Sequence, residues 1–399
     1  MIFRWRLVDT KNFNNLETIE LSSPASFYLD SDRFDQELQC VWFRNWIFAA
    51  HISDLPEIGD FLVSRIGDQE IIIVRTESGI RGYFNTCRHR GSALCAESVG
   101  HFHSGSIRCP YHHWTYSLEG ELVQIPRLDE TVSFSSSSYS LYSVATQVWE
   151  GCIFFNLAVE PLESLPAGVQ PTASILRNWN VASLSVAHRF ETTLDCNWKI
   201  IWENFLECYH CPGVHRELSS LVPIYQRTFM EPEDERDWDK RDDRSDPRFS
   251  GGMSEGNFSW TIDGQLHGER FPDLTEEEFD AGYVYAQHLP SMFIVGHPDY
   301  VRLVWFRPLS PTKTVFSCYW LLSQTSLEKA DLDLASIVDF GLTVIEEDAR
   351  VCELNQRGLS SLPHLQGLLV PQEYDVLNFQ KWVESQVQVG AVNVNRNSR

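Results

Sequence analysis

The stretches CRHRG (Cys87–Gly91) and CPYHHW (Cys109–Trp114) decide how this chain is read. Each places a thiol and an imidazole on one tight loop, Cys87 with His89 and Cys109 with His112, with 19 residues between His89 and Cys109. Such a Cys2His2 set can hold zinc tetrahedrally. It can equally hold a [2Fe–2S] cluster, with Cys87 and Cys109 on one iron and His89 and His112 on the other. Zinc fingers gather their histidines on a helix, whereas here each histidine shares a loop with a cysteine. Neutral imidazoles in place of two thiolates remove negative charge. They raise the cluster potential to about −150 to +300 mV, against about −400 mV for an all-thiolate plant-type cluster. A cluster so tuned can pass single electrons to a second iron.

The surroundings of both loops are β-rich. FLVSRI (Phe61–Ile66), EIIIV (Glu70–Val74) and RGYF (Arg81–Phe84) are short strand-like runs split by turn signals at Gly67-Asp68 and Glu77-Ser78-Gly79. Similar pieces continue to Leu157, which predicts an all-β domain over residues 45–157 after a helical and irregular lead-in over 1–44. Gly91 and Pro110 suit tight backbone turns. His101 and His103, in GHFHSG (Gly100–Gly105), read as exposed loop residues; His113 reads as a surface neighbour and Trp114 as a packing residue. Residues 158–390 mix helical patterns with strands such as YVRLVWF (Tyr300–Phe306) and VFSCYWLL (Val315–Leu322), and 391–399 form a frayed tail. The charged run Glu231–Arg248 reads as a solvated loop, with a lid over an active site as the alternative.

Composition narrows the class. With 43% apolar and 22% charged residues the chain can bury a core. Its 32 Lys and Arg against 55 Asp and Glu give a net charge of −23, which argues against a nucleic-acid partner. No stretch reaches the roughly 18 apolar residues of a membrane span. The start MIFRWRLVDTKNF lacks a signal-peptide pattern, so the 10 cysteines read as reduced, cytoplasmic thiols.

A second cluster of donors lies in ECYHCPGVHRE (Glu207–Glu217). Upstream, Trp198, Ile201, Trp202 and Phe205 recur at helical spacing. On that helix Asn204, Glu207 and His210 share one face, and Pro212-Gly213 breaks the helix so that the chain returns to present His215. Two histidines need a third donor. In VIEEDARVCELNQRGL (Val344–Leu359), Glu346, Arg350, Glu353 and Arg357 form an alternating-charge, solvated stripe. Val344, Asp348, Cys352 and Asn355 fall on another stripe, where a carboxylate is costly unless it binds metal. Asp348 is therefore chosen over Glu347. His210, His215 and Asp348 make a 2-His-1-carboxylate set, the arrangement of non-heme Fe(II) oxygenases. Cys208 and Cys211 read as small packed hydrophobes rather than a zinc knuckle.

The two motifs together resemble the Rieske non-heme iron oxygenases, and the resemblance covers roughly residues 40–390. It departs from the family pattern in a slightly longer segment between the two Cys/His pairs. The resemblance implies an α+β chain: an all-β Rieske domain, then a helix-grip catalytic domain in which a curved antiparallel sheet wraps a long helix. It implies a [2Fe–2S] cluster, a mononuclear Fe(II), O2 as co-substrate, and NAD(P)H electrons delivered by a flavin/iron–sulfur reductase. Glu207 matches the family's acidic residue that bridges the iron histidine to the Rieske histidine of the neighbouring subunit, here His112. Within one subunit the metals of the family lie too far apart, so a head-to-tail homotrimer is implied. Glu207 and Asn204 are the candidate catalytic residues.

Glu rather than Asp at position 207, within ECYHC, resembles the branch acting on quaternary ammonium compounds such as choline, glycine betaine, carnitine and stachydrine. Oxygenation of an N-methyl group there gives a hemiaminal that releases formaldehyde. An aromatic cage drawn from Trp202, Phe258, Trp260, Tyr285 and Trp305 would suit such a cation, with Phe258 and Trp260 expected on one face of a strand. The alternatives are an aromatic-ring hydroxylase with the same metals and an electron-transfer or structural metal protein.

Overall fold

The computed structural model describes residues 18–129, 133–158, 160–161, 165, 175–227 and 252–390. The run Glu231–Arg248 and the tail from 391 lie outside the described residues. The chain divides into two compact units, one formed by residues 38–168, 289–291 and 390–399, the other by 1–37, 169–288 and 292–389. The lead-in is more ordered in type than its sequence suggests. It contains a strand, β1 (Glu20–Pro24), and two helices, α1 (Ser26–Leu29) and α2 (Ser31–Glu37).

The first unit is all-β. Its seven-stranded antiparallel sheet contains β2 (Ile47–His51), β3 (Asp60–Ile66), β4 (Gln69–Thr76), β5 (Gly79–Phe84), β6 (Val99–His101), β10 (Ser143–Trp149) and β11 (Cys152–Asn156), in the order β2-β11-β10-β5-β4-β3-β6. A separate three-stranded sheet holds β7 (Ser106–Arg108), β8 (Thr115–Ser117) and β9 (Leu122–Gln124). The strand-like runs FLVSRI, EIIIV and RGYF fall on β3, β4 and β5, and the later pieces GSIRC (Gly105–Cys109), WTYSL (Trp114–Leu118) and GCIFFNL (Gly151–Leu157) on β7, β8 and β11. Both donor loops hang from this scaffold, Cys87–Gly91 after β5 and Cys109–Trp114 between β7 and β8. His101 is corrected: it ends β6 and pairs with Asp60 at 2.8 Å instead of lying free in a loop, while His103 is exposed.

The second unit is built on a five-stranded antiparallel sheet. It contains β12 (Ser185–Leu194), β13 (Val284–His288), β14 (Met292–Gly296), β15 (Val301–Ser310) and β16 (Lys313–Leu322), in the order β12-β16-β15-β14-β13. A last strand, β17 (Gln366–Leu369), pairs with β1. The helices that matter for the site are α3 (Trp198–Leu206), α4 (Cys211–Val214), α5 (Arg216–Leu221) and, later, the 26-residue α8 (Leu334–Leu359), which follows α6 (Glu276–Ala281) and α7 (Gln324–Leu327) and precedes α9 (Tyr374–Val389).

Local chemistry explains where these helices start. Asn197 caps α3 by accepting a hydrogen bond from Lys199 N, and Asp333 caps α8 by accepting from Ser336 N. Helix α8 buries Ile337, Phe340, Val344, Ile345 and Cys352 along one side. Gly341 brings it close to the sheet, because a Cβ there would stand 2.8 Å from the Trp320 ring of β16. A buried ion pair ties α2 to α3. Lys199 Nζ donates to Glu37 Oε2 at 2.6 Å, Trp198 Nε1 donates to the same carboxylate at 3.0 Å, and both charged side chains are at most 1% exposed.

Candidate functional site

The Cys/His loops bring their four donors to one end of the β unit. Cys87 and Cys109 are free and buried, His112 is half-buried and His89 is exposed, so the sulfurs lie inside and the rings outside. The two imidazoles stand with centroids 4.7 Å apart, and Trp114 stacks on His89 at 4.9 Å with planes 5° apart. Gly91 adopts φ +75°, and its N–H donates to the Cys87 carbonyl, which closes the first loop. The Tyr116 hydroxyl lies 3.3 Å from Cys87 Sγ and accepts from Arg88 N at 3.1 Å. Two buried thiols, two outward imidazoles and a hydroxyl aimed at sulfur fit a [2Fe–2S] cluster ligated by both residue types.

The second donor group forms where α3 ends. That helix stops at Leu206, and Glu207 is extended (φ −133°, ψ 161°), so the sequence reading of Asn204, Glu207 and His210 on one helix is corrected. His210 instead begins the short helix α4, which contains Pro212 and Gly213, and the break therefore precedes His210. Proline near a helix start loses no hydrogen bond, which is why Pro212 is accommodated there. His215 follows α4 and is 2% exposed.

Three donor atoms converge. His210 Nε2 and His215 Nε2 are 3.2 Å apart, and Asp348 Oδ1 lies 2.9 Å from His215 Nε2 and 3.4 Å from His210 Nε2. Metal–ligand bonds of about 2.1 Å at right angles put neighbouring donors about 3.0 Å apart, so this triangle matches one face of an octahedron. Each ring's other nitrogen faces a carboxylate, His210 Nδ1 to Glu207 Oε1 at 2.6 Å and His215 Nδ1 to Glu347 Oε2 at 2.8 Å. Carboxylate–imidazole pairing of this kind fixes the tautomer and the ring angle of a metal ligand. Glu347 is thus the residue whose task the sequence did not disclose.

The electrostatics call for a cation. Burial disfavours the charged imidazole of His210, but hydrogen bonds and charge from Asp348 and Glu207 outweigh it and lift the ring to about 10. His215 is raised in the same way by Asp348 and Glu347 against burial. Burial also opposes the Asp348 carboxylate, yet the two rings pull it down to about 2. Protons on the rings supply the positive charge that a divalent ion would bring.

The remaining sequence readings divide. Asn204 Nδ2 lies 3.3 Å from His210 Nε2, beside the triangle. On α8, Glu346, Arg350 and Arg357 are exposed as expected, but Asn355 is exposed too and Gln356 takes the buried position. The expectation of ten reduced thiols is corrected: Cys208 and Cys211 form a disulfide inside a hydrophobic cluster, with Cα atoms 4.9 Å apart, leaving eight free cysteines. That pairing also removes both sulfurs from any zinc knuckle.

A cavity opens beside the triangle, lined by Asn204, Glu207, His210, His215 and Asp348 and by the inner face of the sheet. Of the five aromatic candidates, Trp260 and Tyr285 line it, but Trp202, Phe258 and Trp305 do not. Trp202 is fully buried against Phe306, and Trp305 packs edge-on to Tyr319 at 4.6 Å. The segment around Phe258 and Trp260 is irregular rather than a strand, which leaves Phe258 39% exposed and Trp260 2% exposed. The sequence also missed Phe205 of α3, Tyr225 of a 3-10 turn and Phe293 of β14 in the lining; for Phe293, strand alternation alone does not say which face is concave.

Comparison with known proteins agrees with this geometry. The family model described as the Rieske [2Fe-2S] domain matches residues 45–138, and that of the ring hydroxylating alpha subunit (catalytic domain) matches 181–389. The glycine betaine monooxygenase oxygenase subunit of Chromohalobacter salexigens is 28% identical over 381 residues, covering 90% of this chain and 84% of that protein. The crystal structure of the quaternary ammonium Rieske monooxygenase CntA with its substrate L-carnitine superposes with TM-score 0.69 at 21% identity, over 93% of this chain and 97% of that one. Naphthalene 1,2-dioxygenase from Rhodococcus sp., bound to indole, gives TM-score 0.70 at 22% identity over 92% and 94% of the two chains. Among the described residues no helix is long and apolar enough to cross a membrane. With a cluster-binding β domain, a helix-and-sheet iron domain and family matches to both, the chain belongs to the Rieske non-heme iron oxygenases, as an α (oxygenase) subunit carrying a [2Fe–2S] cluster and a mononuclear iron.

Proposed function

We propose that this oxygenase subunit monooxygenates, and thereby N-demethylates, a small quaternary ammonium compound of the glycine betaine type. The observation that carries the reading is the likeness to a glycine betaine monooxygenase oxygenase subunit over 90% of the chain. The aromatic rings of Trp260 and Tyr285 beside the donor triangle support it, since such rings attract a cationic head.

In this reading Cys87 and Cys109 ligate one iron of the cluster and His89 and His112 the other, while His210, His215 and Asp348 hold the mononuclear iron. When bound, that iron activates O2 for insertion of one oxygen atom into a C–H bond. Glu207 and Glu347 keep the Nε2 lone pairs of the two rings directed inward. Asn204 places an amide beside the same centre, and the apolar cavity wall limits access of water. Glu207 links His210 to His112 of the partner subunit, which calls for a head-to-tail homotrimer. Electron supply by an NAD(P)H-dependent reductase fits a cytoplasmic setting. Hydroxylation of an N-methyl group leaves a hemiaminal that collapses to formaldehyde and the demethylated amine. Ring hydroxylation of an aromatic acid is the second reading, favoured by the Phe205 and Phe293 rings in the cavity.

The test is a single turnover. Reduced, iron-loaded protein receives glycine betaine, carnitine, stachydrine or choline under anaerobic conditions, then O2, and formaldehyde and oxidised amine are quantified, choline being read as its aldehyde. Close to one formaldehyde per active iron with one compound supports the reading. No product from any of them, with both metals present, overturns it and favours the aromatic acid.

A further inference from the structure

The inner face of the curved sheet carries one residue that its apolar neighbours do not explain. Register places Tyr285 of β13 opposite Val295 of β14, and Val295 opposite Arg302 of β15. All three line the cavity beside the donor triangle. Arg302 is only 5% exposed, and its Nε is buried without a hydrogen-bond partner among the described residues. No described carboxylate forms an ion pair with it. Its guanidinium carbon stands 5.4 Å from the centroid of the Trp260 ring, the one charge-stabilising contact it makes among the described residues.

A guanidinium cannot escape this situation by losing its proton. A buried, unpaired charge is costly and persists where something else meets it. The planar fork of arginine matches a carboxylate through two parallel hydrogen bonds, and stacking on an indole leaves the in-plane N–H groups free for that purpose. The carboxylates of the cavity, Glu207 and Asp348, are gathered at the iron end beside the His210 and His215 rings, which are neutral when they ligate a metal. One cavity thus holds an acidic end beside the metal ligands, aromatic walls, and one cationic group with no internal partner.

We infer that Arg302 is the carboxylate anchor of the substrate site, and that the substrate is an ammonium zwitterion rather than a choline-like cation. The cationic half of this statement rests on the quaternary ammonium reading above; the anionic half rests on Arg302 alone. Arg302 fixes the carboxylate end, so the opposite, N-methylated end is the one turned toward the donor triangle. Its effect is therefore on specificity.

The experiment separates the two halves. Calorimetric titration of the metal-loaded, anaerobic enzyme uses glycine betaine, carnitine, choline, benzoate and 3,3-dimethylbutyrate, the last having the shape of betaine with carbon in place of the charged nitrogen. Wild-type protein binds a betaine more tightly than choline. Arg302→Gln weakens the betaine and 3,3-dimethylbutyrate by about 10- to 100-fold, the usual loss for one charge-assisted pair, and leaves choline unchanged. Arg302→Lys, which keeps the charge and loses the fork, falls between. Equal loss for choline and betaine, or no loss for either, overturns the anchor. If Arg302→Gln does not fold, the wild-type ratio decides, and choline binding as tightly as betaine overturns the proposal. Should no quaternary ammonium compound bind while 3,3-dimethylbutyrate or benzoate does so in an Arg302-dependent way, the anchor stands and the quaternary ammonium reading falls. Absence of binding by every carboxylate overturns the anchor.

Discussion

Glu347 Oε2 lies 2.8 Å from His215 Nδ1, and Asp348 Oδ1 lies 2.9 Å from Nε2 of the same ring. Adjacent residues of α8 therefore hold opposite edges of one imidazole, and they should fail differently. Asp348→Ala is expected to abolish mononuclear iron while the cluster spectrum persists. Glu347→Ala is expected to keep iron with about 10- to 100-fold weaker affinity, the usual cost of removing an outer partner of a metal-binding histidine. Iron content per cluster, followed by chelator competition, distinguishes them. Equal, complete iron loss in both would make Glu347 a ligand.

Glu207 Oε1 sits 2.6 Å from His210 Nδ1. Glu207→Gln should leave both metals bound and lower turnover by about 10- to 100-fold or more. The fall should appear as slowed reoxidation of the reduced cluster after O2 and substrate are mixed in. Normal reoxidation would remove Glu207 from the electron route.

The Tyr116 hydroxyl, 3.3 Å from Cys87 Sγ, donates to the sulfur when the thiolate is ligated. Hydrogen bonds to cluster sulfurs favour the reduced, more negative state. Tyr116→Phe should lower the cluster's reduction potential with the spectrum otherwise intact, as read by redox titration. An unchanged or higher potential would contradict the contact.

Glu203 of α3 accepts from Tyr28 Oη at 2.8 Å and from Gln380 Nε2 at 3.0 Å. Burial pushes its carboxyl up to about 7 despite those hydrogen bonds. A pKa raised on folding means that the native state holds its proton longer than the unfolded chain, whose glutamates titrate near about 4.3. Stability from this group is therefore full below about pH 4.3 and is lost as pH rises toward 7. Asp375, also raised to about 7 by burial, acts in the same direction. Glu203→Gln should flatten the decline in urea midpoint between pH 5 and 8, and an unaltered slope would refute it.

Glu37 and Lys199 are paired with side chains at most 1% exposed. Removing one partner strands the other charge, so Glu37→Ala should cost about 3–5 kcal/mol in chemical denaturation. The double change Glu37→Leu with Lys199→Met should recover most of that loss. A double variant no better than the single one would mean that the pair adds net stability.

What could be read in advance was whatever is local. Cys87 with His89, Cys109 with His112, and His210 with His215 announce themselves because each pair shares a loop or turn. Asp348 was chosen by asking which acid of α8 lacked a solvated stripe, and its carboxylate does lie beside His215, although Asn355 on the same stripe is exposed. Glu347 was weighed only as a rival ligand, since a helical pattern cannot say that the next residue reaches the far edge of the same ring. Arg302 was invisible for a related reason. In YVRLVWF it alternates like any strand residue, and only the curvature of the sheet decides that its face is the cavity. The end of α3 was misplaced because Glu207 can continue a helix, and its carboxylate instead folds back on His210 N at 3.1 Å.

The donor atoms of His215 and Asp348 meet across 133 residues of chain, whereas Glu207 and His210 meet across 3. Closing so long a loop is an entropic burden on the folding chain, offset in part where Cys211 of α4 packs in one hydrophobic cluster with Phe340 and Val344 of α8. An ion held by His210, His215 and Asp348 would cross-link that loop at its narrowest point, so its binding energy is also folding energy. Metal-free protein should accordingly loosen first where α4 meets α8, with amide exchange there rising before the sheet is touched. The iron would then be a fastener as well as a reagent, holding α4 against α8 by the same three bonds that place it for chemistry.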